Sequence, residues 1–175
     1  RLYNTIYFRD PYFNDGTGKI YGYDWDTWMT EVLKKTEVYD RPSFHKFLPD
    51  TKEALFSKNT DVNVMLMRYA NVLLMKAEAL NGLGHPEQAI PLINEVRKVH
   101  GNMPPMSGTT QADVQDQIEH ERMIEFPLEN FRWYDLRRWG KTATALNAAG
   151  RKGFDQSKLF FPIPLTELNS NPLAK

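Results

Sequence analysis

Hydrophobic positions fall into two regimes along the chain. From residue 66 they recur at helical spacing, with Leu66, Tyr69, Ala70, Leu73, Ala77 and Leu80 on one face. Asp61 and Asn63 offer side-chain caps ahead of this run, and Gly82 and Gly84 stop it. His85-Pro86-Glu87 opens a second helix, with proline at a position where the missing N–H costs nothing. Ala89, Ile90, Ile93 and Val96 form its inward stripe, and Gly101 closes it. The short connection predicts two antiparallel neighbours. Pro91 interrupts the second helix, removing a backbone donor at a cost of about 3 kcal/mol in a helix interior. A kink there is expected, or a helix that becomes regular only beyond it.

Residues 102–110 read as a loop of Pro, Gly, Ser and Thr. Thr110 with Asp113 three places on has the form of a capping pair, and predicts a third helix from Gln111 to Glu125 with Val114 and Ile118 inward. A fourth helix, about Glu129 to Trp139, carries Phe131, Trp133, Tyr134, Leu136 and Trp139 and stops at Gly140. Arg137 and Arg138 fall in its last turn, where the helix dipole favours cations. The remaining tail reads as irregular, with Leu159-Phe160-Phe161-Pro162-Ile163-Pro164 as an apolar strap. The fold class predicted is therefore mainly α, built on antiparallel helix pairs, with an extended C-terminal tail.

Residues 1–60 follow a different rule. Pro11, Gly16, Gly18, Gly22 and Pro42 punctuate them, and aromatic rings crowd between: Tyr3, Tyr7, Phe8, Tyr12, Phe13, Tyr21, Tyr23, Trp25, Trp28 and Tyr39. Such a stretch is too aromatic for a free linker and should pack on the helical part or bind something. Two regions follow, an irregular aromatic segment at 1–60 and a helical region at 61–175.

Charge and composition narrow the partners. Twenty-two basic and 22 acidic residues cancel, so the basic footprint of a nucleic-acid binder is missing. No apolar run is long enough to cross a bilayer. With no cysteine, disulfides, thiolate catalysis and cysteine-ligated zinc are excluded. The opening Arg1-Leu2-Tyr3 has neither an initiator Met nor a signal-like apolar stretch, so any targeting signal is expected upstream.

Several motifs suggest chemistry and fall short of it. His120-Glu121-Arg122-Met123-Ile124 begins like a zinc-protease helix, but Ile124 stands where the second His belongs. The other histidines, His45, His85 and His100, add no ligand spacing. Gly16-Thr17-Gly18-Lys19-Ile20 lacks the first glycine and the magnesium-binding hydroxyl of a phosphate loop, and reads as a turn. Asp24 and Asp26 lack the glycine and final glutamate of a calcium loop. No cofactor is expected. Glu119, Glu121, Glu125 and Glu129 could supply an acid and a base, as in glycoside hydrolysis. With Arg122, Arg132, Arg137 and Arg138 on the same two helices, an ion network that fixes helix geometry explains them better.

The run Tyr21-Gly22-Tyr23-Asp24-Trp25-Asp26-Thr27-Trp28 is the candidate ligand-binding feature. In an extended segment Tyr21, Tyr23 and Trp25 would face one way, with Trp28 close by. A flat aromatic strip suits the C–H face of a sugar, and the Asp residues would accept from its hydroxyls. The competing reading makes these four rings core, or a dock for another domain.

Three stretches together resemble a known family. They are Met67-Arg68-Tyr69-Ala70-Asn71-Val72-Leu73-Leu74-Met75-Lys76-Ala77-Glu78-Ala79-Leu80-Asn81; Glu121-Arg122-Met123-Ile124-Glu125-Phe126 running on to Phe131-Arg132-Trp133-Tyr134-Asp135-Leu136-Arg137-Arg138-Trp139-Gly140; and Leu159 to Pro164 followed by Asn171-Pro172. In this order, over about 61–173, they are similar to the C-terminal region of SusD/RagB outer-membrane lipoproteins. Arg1-Leu2-Tyr3 looks like the family's preceding segment. Where the family usually has Phe-Glu-Gly before its Arg-Trp pair, this chain has Pro127-Leu128-Glu129-Asn130, and Asn tolerates the left-handed backbone nearly as well as Gly. The helix pair around Ala77–Ile90 resembles one tetratricopeptide unit, and one such unit cannot bury its own faces.

The resemblance implies a non-catalytic protein at the cell-surface side of the outer membrane, lipid-anchored outside this chain. It would capture glycans, or in some cases peptides, and pass them to a SusC-type TonB-dependent transporter. A helical-repeat scaffold that binds only protein and a helical glycosidase are the alternatives.

Overall fold

A computed structural model describes residues 1–36, 42–59, 62–151, 153–171 and 173. Asp61 as a cap, Tyr39 in the aromatic segment, Pro172 in the third matched stretch and the boundary expected at 60–61 lie outside these. The chain divides into two compact units, Arg1–Glu129 and Asn130–Lys175.

The first unit is built on three long helices. α1 (Leu2–Thr5), β1 (Ile6–Tyr7), α2 (Phe13–Gly16), α3 (Trp25–Thr27), a π-helical turn at Trp28–Val32, β2 (Ser43–Phe44) and α4 (Lys52–Leu55) precede them. α5 (Tyr69–Gly82), α6 (Pro86–Gly101) and α7 (Gln111–Glu125) then pack against one another. The tetratricopeptide-like pair is α5 with α6. Ala70, Leu73, Leu74 and Ala77 from α5 meet a core that includes Ala89, Ile93 and Val96 of α6 and Val114 and Ile118 of α7, all buried. Small residues at 70, 77 and 89 let the backbones approach.

Most expected boundaries hold, and the exceptions have physical causes. α5 begins at Tyr69, because Arg68 is extended (φ −124°, ψ 159°) and its side chain is turned to carboxylates elsewhere. Leu66 and Tyr69, expected inward, are exposed. The helix instead buries Asn71 and Asn81, which hydrogen-bond to α7: Arg122 Nη1 donates to Asn71 Oδ1 at 2.8 Å, and Asn81 Nδ2 donates to the Gln111 carbonyl at 3.0 Å. α6 runs as one helix through Pro91 and closes on Asn102 in the left-handed region (φ 47°). α7 has the expected bounds. Thr110 Oγ1 accepts from the Asp113 N–H, and Asp113 accepts in return from the Thr110 N–H, a complete capping box.

The aromatic segment has its own small core of Tyr7, Phe13, Ile20, Trp25, Trp28 and Met29. β1 and β2 pair antiparallel, Ile6 opposite Phe44 and Tyr7 opposite Ser43.

In the second unit, α8 (Phe131–Arg138) buries Asp135 and Leu136 and is followed by α9 (Thr142–Ala148) and α10 (Leu165–Ser170). Among the described residues, the tail read as irregular therefore holds two α-helices and a 3-10 turn at Gln156–Leu159. Thr142–Ala148 has no long apolar stripe to betray it, and its alanines and leucine carry it by propensity. Leu159 of the apolar strap ends the 3-10 turn and Phe160 is extended (φ −121°, ψ 148°); Phe160 and Phe161 are exposed, with the Arg137 guanidinium 4.7 Å from the Phe160 ring centre.

Candidate functional site

The run Tyr21–Trp28 does not extend. Tyr21 (φ 48°) and Gly22 (φ 85°) form a tight reversal that pairs Ile20 with Tyr23. Asp24 then caps a helical segment, accepting from the Thr27 N–H at 2.9 Å and the Thr27 hydroxyl at 2.8 Å. These bonds hold the Asp24 carboxyl below its ordinary range, the backbone bond foremost. The flat strip expected from alternation is thus broken twice, by a left-handed turn and by a helix start.

The four rings part company. Trp28 is fully buried and Trp25 is 5% exposed. Tyr21 and Tyr23 are half-buried, with ring centres 5.4 and 6.3 Å from Trp28. The Tyr21 hydroxyl donates to the Pro49 carbonyl, and Lys52 Nζ donates to the Tyr23 hydroxyl at 2.7 Å. Trp25 instead meets Tyr7 edge-on at 5.9 Å.

Trp25 also lines a cleft of about 390 Å³ together with Arg9, Asp10, Pro11, Gly18, Asp24 and Asp26. That volume lies within the range of about 300–1,000 Å³ typical of small-molecule sites. Gly18 suits its place in the lining: its φ is +64°, and a Cβ there would sit 3.3 Å from the Asp10 carbonyl oxygen and the Pro11 Cα. Arg9 Nη2 donates to Asp26 Oδ1, and Asp10 Oδ1 accepts from the Tyr12 N–H at 2.6 Å. The cleft therefore offers an indole, a guanidinium and three carboxylates, a set suited to a ligand with many hydroxyls. Of the four aromatic candidates, only Trp25 lines it. Arg9, Asp10 and Gly18 were missed by sequence reasoning, and nothing in local pattern ties residues 9 and 10 to residues 24 to 26.

Glu121 and Glu125 on α7, with Glu129 beyond its end, belong to a separate ion cluster, while Glu119 accepts from Gln115 Nε2 at 3.1 Å. Glu121, fully buried, pairs with Arg1 and Arg97 and accepts from Gln117. Glu125 meets Arg68 Nη1 at 2.9 Å, Arg1 Nε at 3.1 Å and His100 Nδ1 at 2.7 Å. Glu129 meets Arg68 Nη2 at 2.8 Å and Lys46. Burial works to raise the Glu129 carboxyl, but hydrogen bonds and charge from Arg68 and Lys46 outweigh it and hold the group low. The network expected at these glutamates is present, with a correction to its cations. They come from residues 1, 46, 68 and 97, with His100 hydrogen-bonding Glu125, whereas Arg122 bonds Asn71 and Arg138 pairs with Asp135. Among the described residues no group of three or more His, Asp or Glu could hold a metal ion, and no helix is long and apolar enough to cross a membrane.

The family model of the SusD family matches residues 1–174. The chain belongs to the SusD family. This match takes in the aromatic segment as well as the region from residue 61. SusD-like protein P38 of Formosa agariphila is 36% identical over 120 residues, covering 64% of this chain and 24% of that protein. SusD-like protein P2 of the same organism is 33% identical over 128 residues, covering 65% and 25%. A SusD superfamily crystal structure from Bacteroides vulgatus superposes with TM-score 0.74 at 27% identity, over 98% of this chain and 37% of that one. The chain thus spans about a quarter of the curated relatives it matches. The superposition matches the mainly helical, tetratricopeptide-like fold of the SusD superfamily.

Proposed function

We propose that the protein of which this SusD-family chain forms part captures glycans, or in some cases peptides, at the cell-surface side of the outer membrane. It is held there by a lipid anchor outside this chain and delivers its ligand to a SusC-type TonB-dependent transporter. No catalytic step belongs to this reading, since Glu121, Glu125 and Glu129 are engaged in ion pairs and Glu119 accepts from Gln115. The family match across residues 1–174 carries it, and the Trp25 cleft supports it chemically.

Within this chain the ligand contacts narrow to Trp25 and its polar neighbours, with Tyr21, Tyr23 and Trp28 packing behind. The small part of the Trp25 indole that reaches the cleft would meet sugar C–H groups edge-on, and Asp10, Asp24 and Asp26 would accept from hydroxyls. The test is calorimetric titration of the full-length protein with a panel of oligosaccharides, then of Trp25→Phe, which keeps the position apolar and aromatic. Micromolar to millimolar affinity weakened by the substitution is expected. Full-length protein that binds no oligosaccharide on the panel overturns glycan capture and leaves only the peptide form of the reading; unaltered binding by Trp25→Phe removes the cleft from it.

A further inference from the structure

The composition of the Trp25 cleft says more than that it suits hydroxyls. Three carboxylates, from Asp10, Asp24 and Asp26, line it against one guanidinium. That guanidinium is committed: Arg9 is paired with Asp26. Asp24 is fixed as a helix cap and accepts twice from Thr27, so it stays ionised and in place. The Tyr12 N–H holds Asp10. The cleft wall therefore keeps an excess of negative charge that its own residues do not neutralise. Asp10 and Asp24 accept only from neutral donors in these bonds, the Tyr12 N–H and Tyr3 hydroxyl for one and Thr27 for the other, so two full charges remain along the cleft.

We propose that this cleft selects by charge, taking neutral or amine-bearing sugars and turning away sugars that carry carboxylate or sulfate. The inference rests on the glycan-capture reading and deepens it. A ligand carboxylate seated about 6 Å from the wall, at a dielectric between protein surface and water, would bind about tenfold more weakly than its neutral counterpart. Salt would shrink that gap, because the cleft is open to solvent and its charges are screened over about a Debye length.

Matched probes isolate the effect. Hexagalacturonate and its fully methyl-esterified form differ in charge and in their ester methyls, and the chitosan hexamer and its fully N-acetylated form differ in charge, in the opposite sense, and in their acetyl groups; salt dependence and a charge-removing substitution separate charge from bulk. Full-length protein titrated with each at low salt should bind the ester about tenfold more tightly than the free acid, and the free amine more tightly than the amide. Asp10→Asn keeps the acceptor for Tyr12 and removes one charge; it should narrow the ester-to-acid ratio about threefold. Equal affinities within both pairs, tighter binding of the free acid, or a ratio untouched by Asp10→Asn overturns charge selection and leaves glycan capture standing. No binding by any of the four overturns charge selection at this cleft, while glycan capture is decided by the oligosaccharide panel above.

Discussion

Arg68 is the most demanding position in the ion cluster, and its removal gives the sharpest test of the architecture. Its guanidinium donates to Glu129 through Nε (3.0 Å to Oε2) and Nη2 (2.8 Å to Oε1), to Glu125 through Nη1 (2.9 Å), and to the Glu125 carbonyl through Nη2 (3.1 Å). The side chain is 17% exposed, against 5% and 0% for its two partners. Breaking a buried pair by deleting one member typically costs about 3–5 kcal/mol, because the other charge is left behind. Here Lys46 still serves Glu129, and Arg1 and His100 still serve Glu125. The expected loss for Arg68→Ala is therefore about 2–3 kcal/mol. Urea unfolding followed by tryptophan fluorescence would read this as a midpoint lowered by about 1–1.5 M, for a slope near 2 kcal/mol/M. Arg68→Lys should recover less than half, since an ammonium cannot bridge two carboxylates in a planar fork. A midpoint shift under about 0.3 M for Arg68→Ala, or full recovery with lysine, would refute the claim that this residue joins the two glutamates.

Three further outcomes follow from local geometry. Glu129 is held below its ordinary value of 4.5 in the folded chain, so its contribution is whole above the unfolded value and lost as pH falls through the depressed one; Glu129→Gln should flatten the acid limb of a stability–pH profile below 4.5. Thr110→Ala deletes one arm of the capping box and should cost about 1 kcal/mol by thermal or urea unfolding. Leu128 sits at φ 64°, where an L-residue is strained, so Leu128→Gly should stabilise by up to about 1 kcal/mol after its lost partial burial, and a net loss would contradict the strain.

How much of this could be read in advance depended on range. Helices α6 and α7 were legible because stripe, caps and stops all lie within a few residues of one another. The start of α5 was not, since Arg68 is drawn into an extended backbone by carboxylates 57 and 61 residues further on. The ion network was visible as a crowd of glutamates, but Arg1, Lys46, Arg68 and Arg97, its cations, come from four other places along the chain. Asn130 does take the left-handed conformation (φ 62°) that glycine would supply in the family's usual pattern. In the aromatic run, alternation suggested a strand while Gly22 and the Asp24–Thr27 cap dictated a turn and a helix. Local hydrogen bonds outweighed side-chain period there, and so the cleft assembled around one tryptophan instead of three aligned rings.

The wide spacing of the ion cluster's members has a kinetic consequence. Arg1 and Glu121 stand 120 positions apart, and Lys46 and Glu129 stand 83 apart. Contacts that close such long loops form late, after the locally encoded hairpin of α5 and α6 has already collapsed. Weakening the cluster should then leave the refolding rate nearly unchanged and quicken escape from the native state, making these charges the clasp that sets its lifetime.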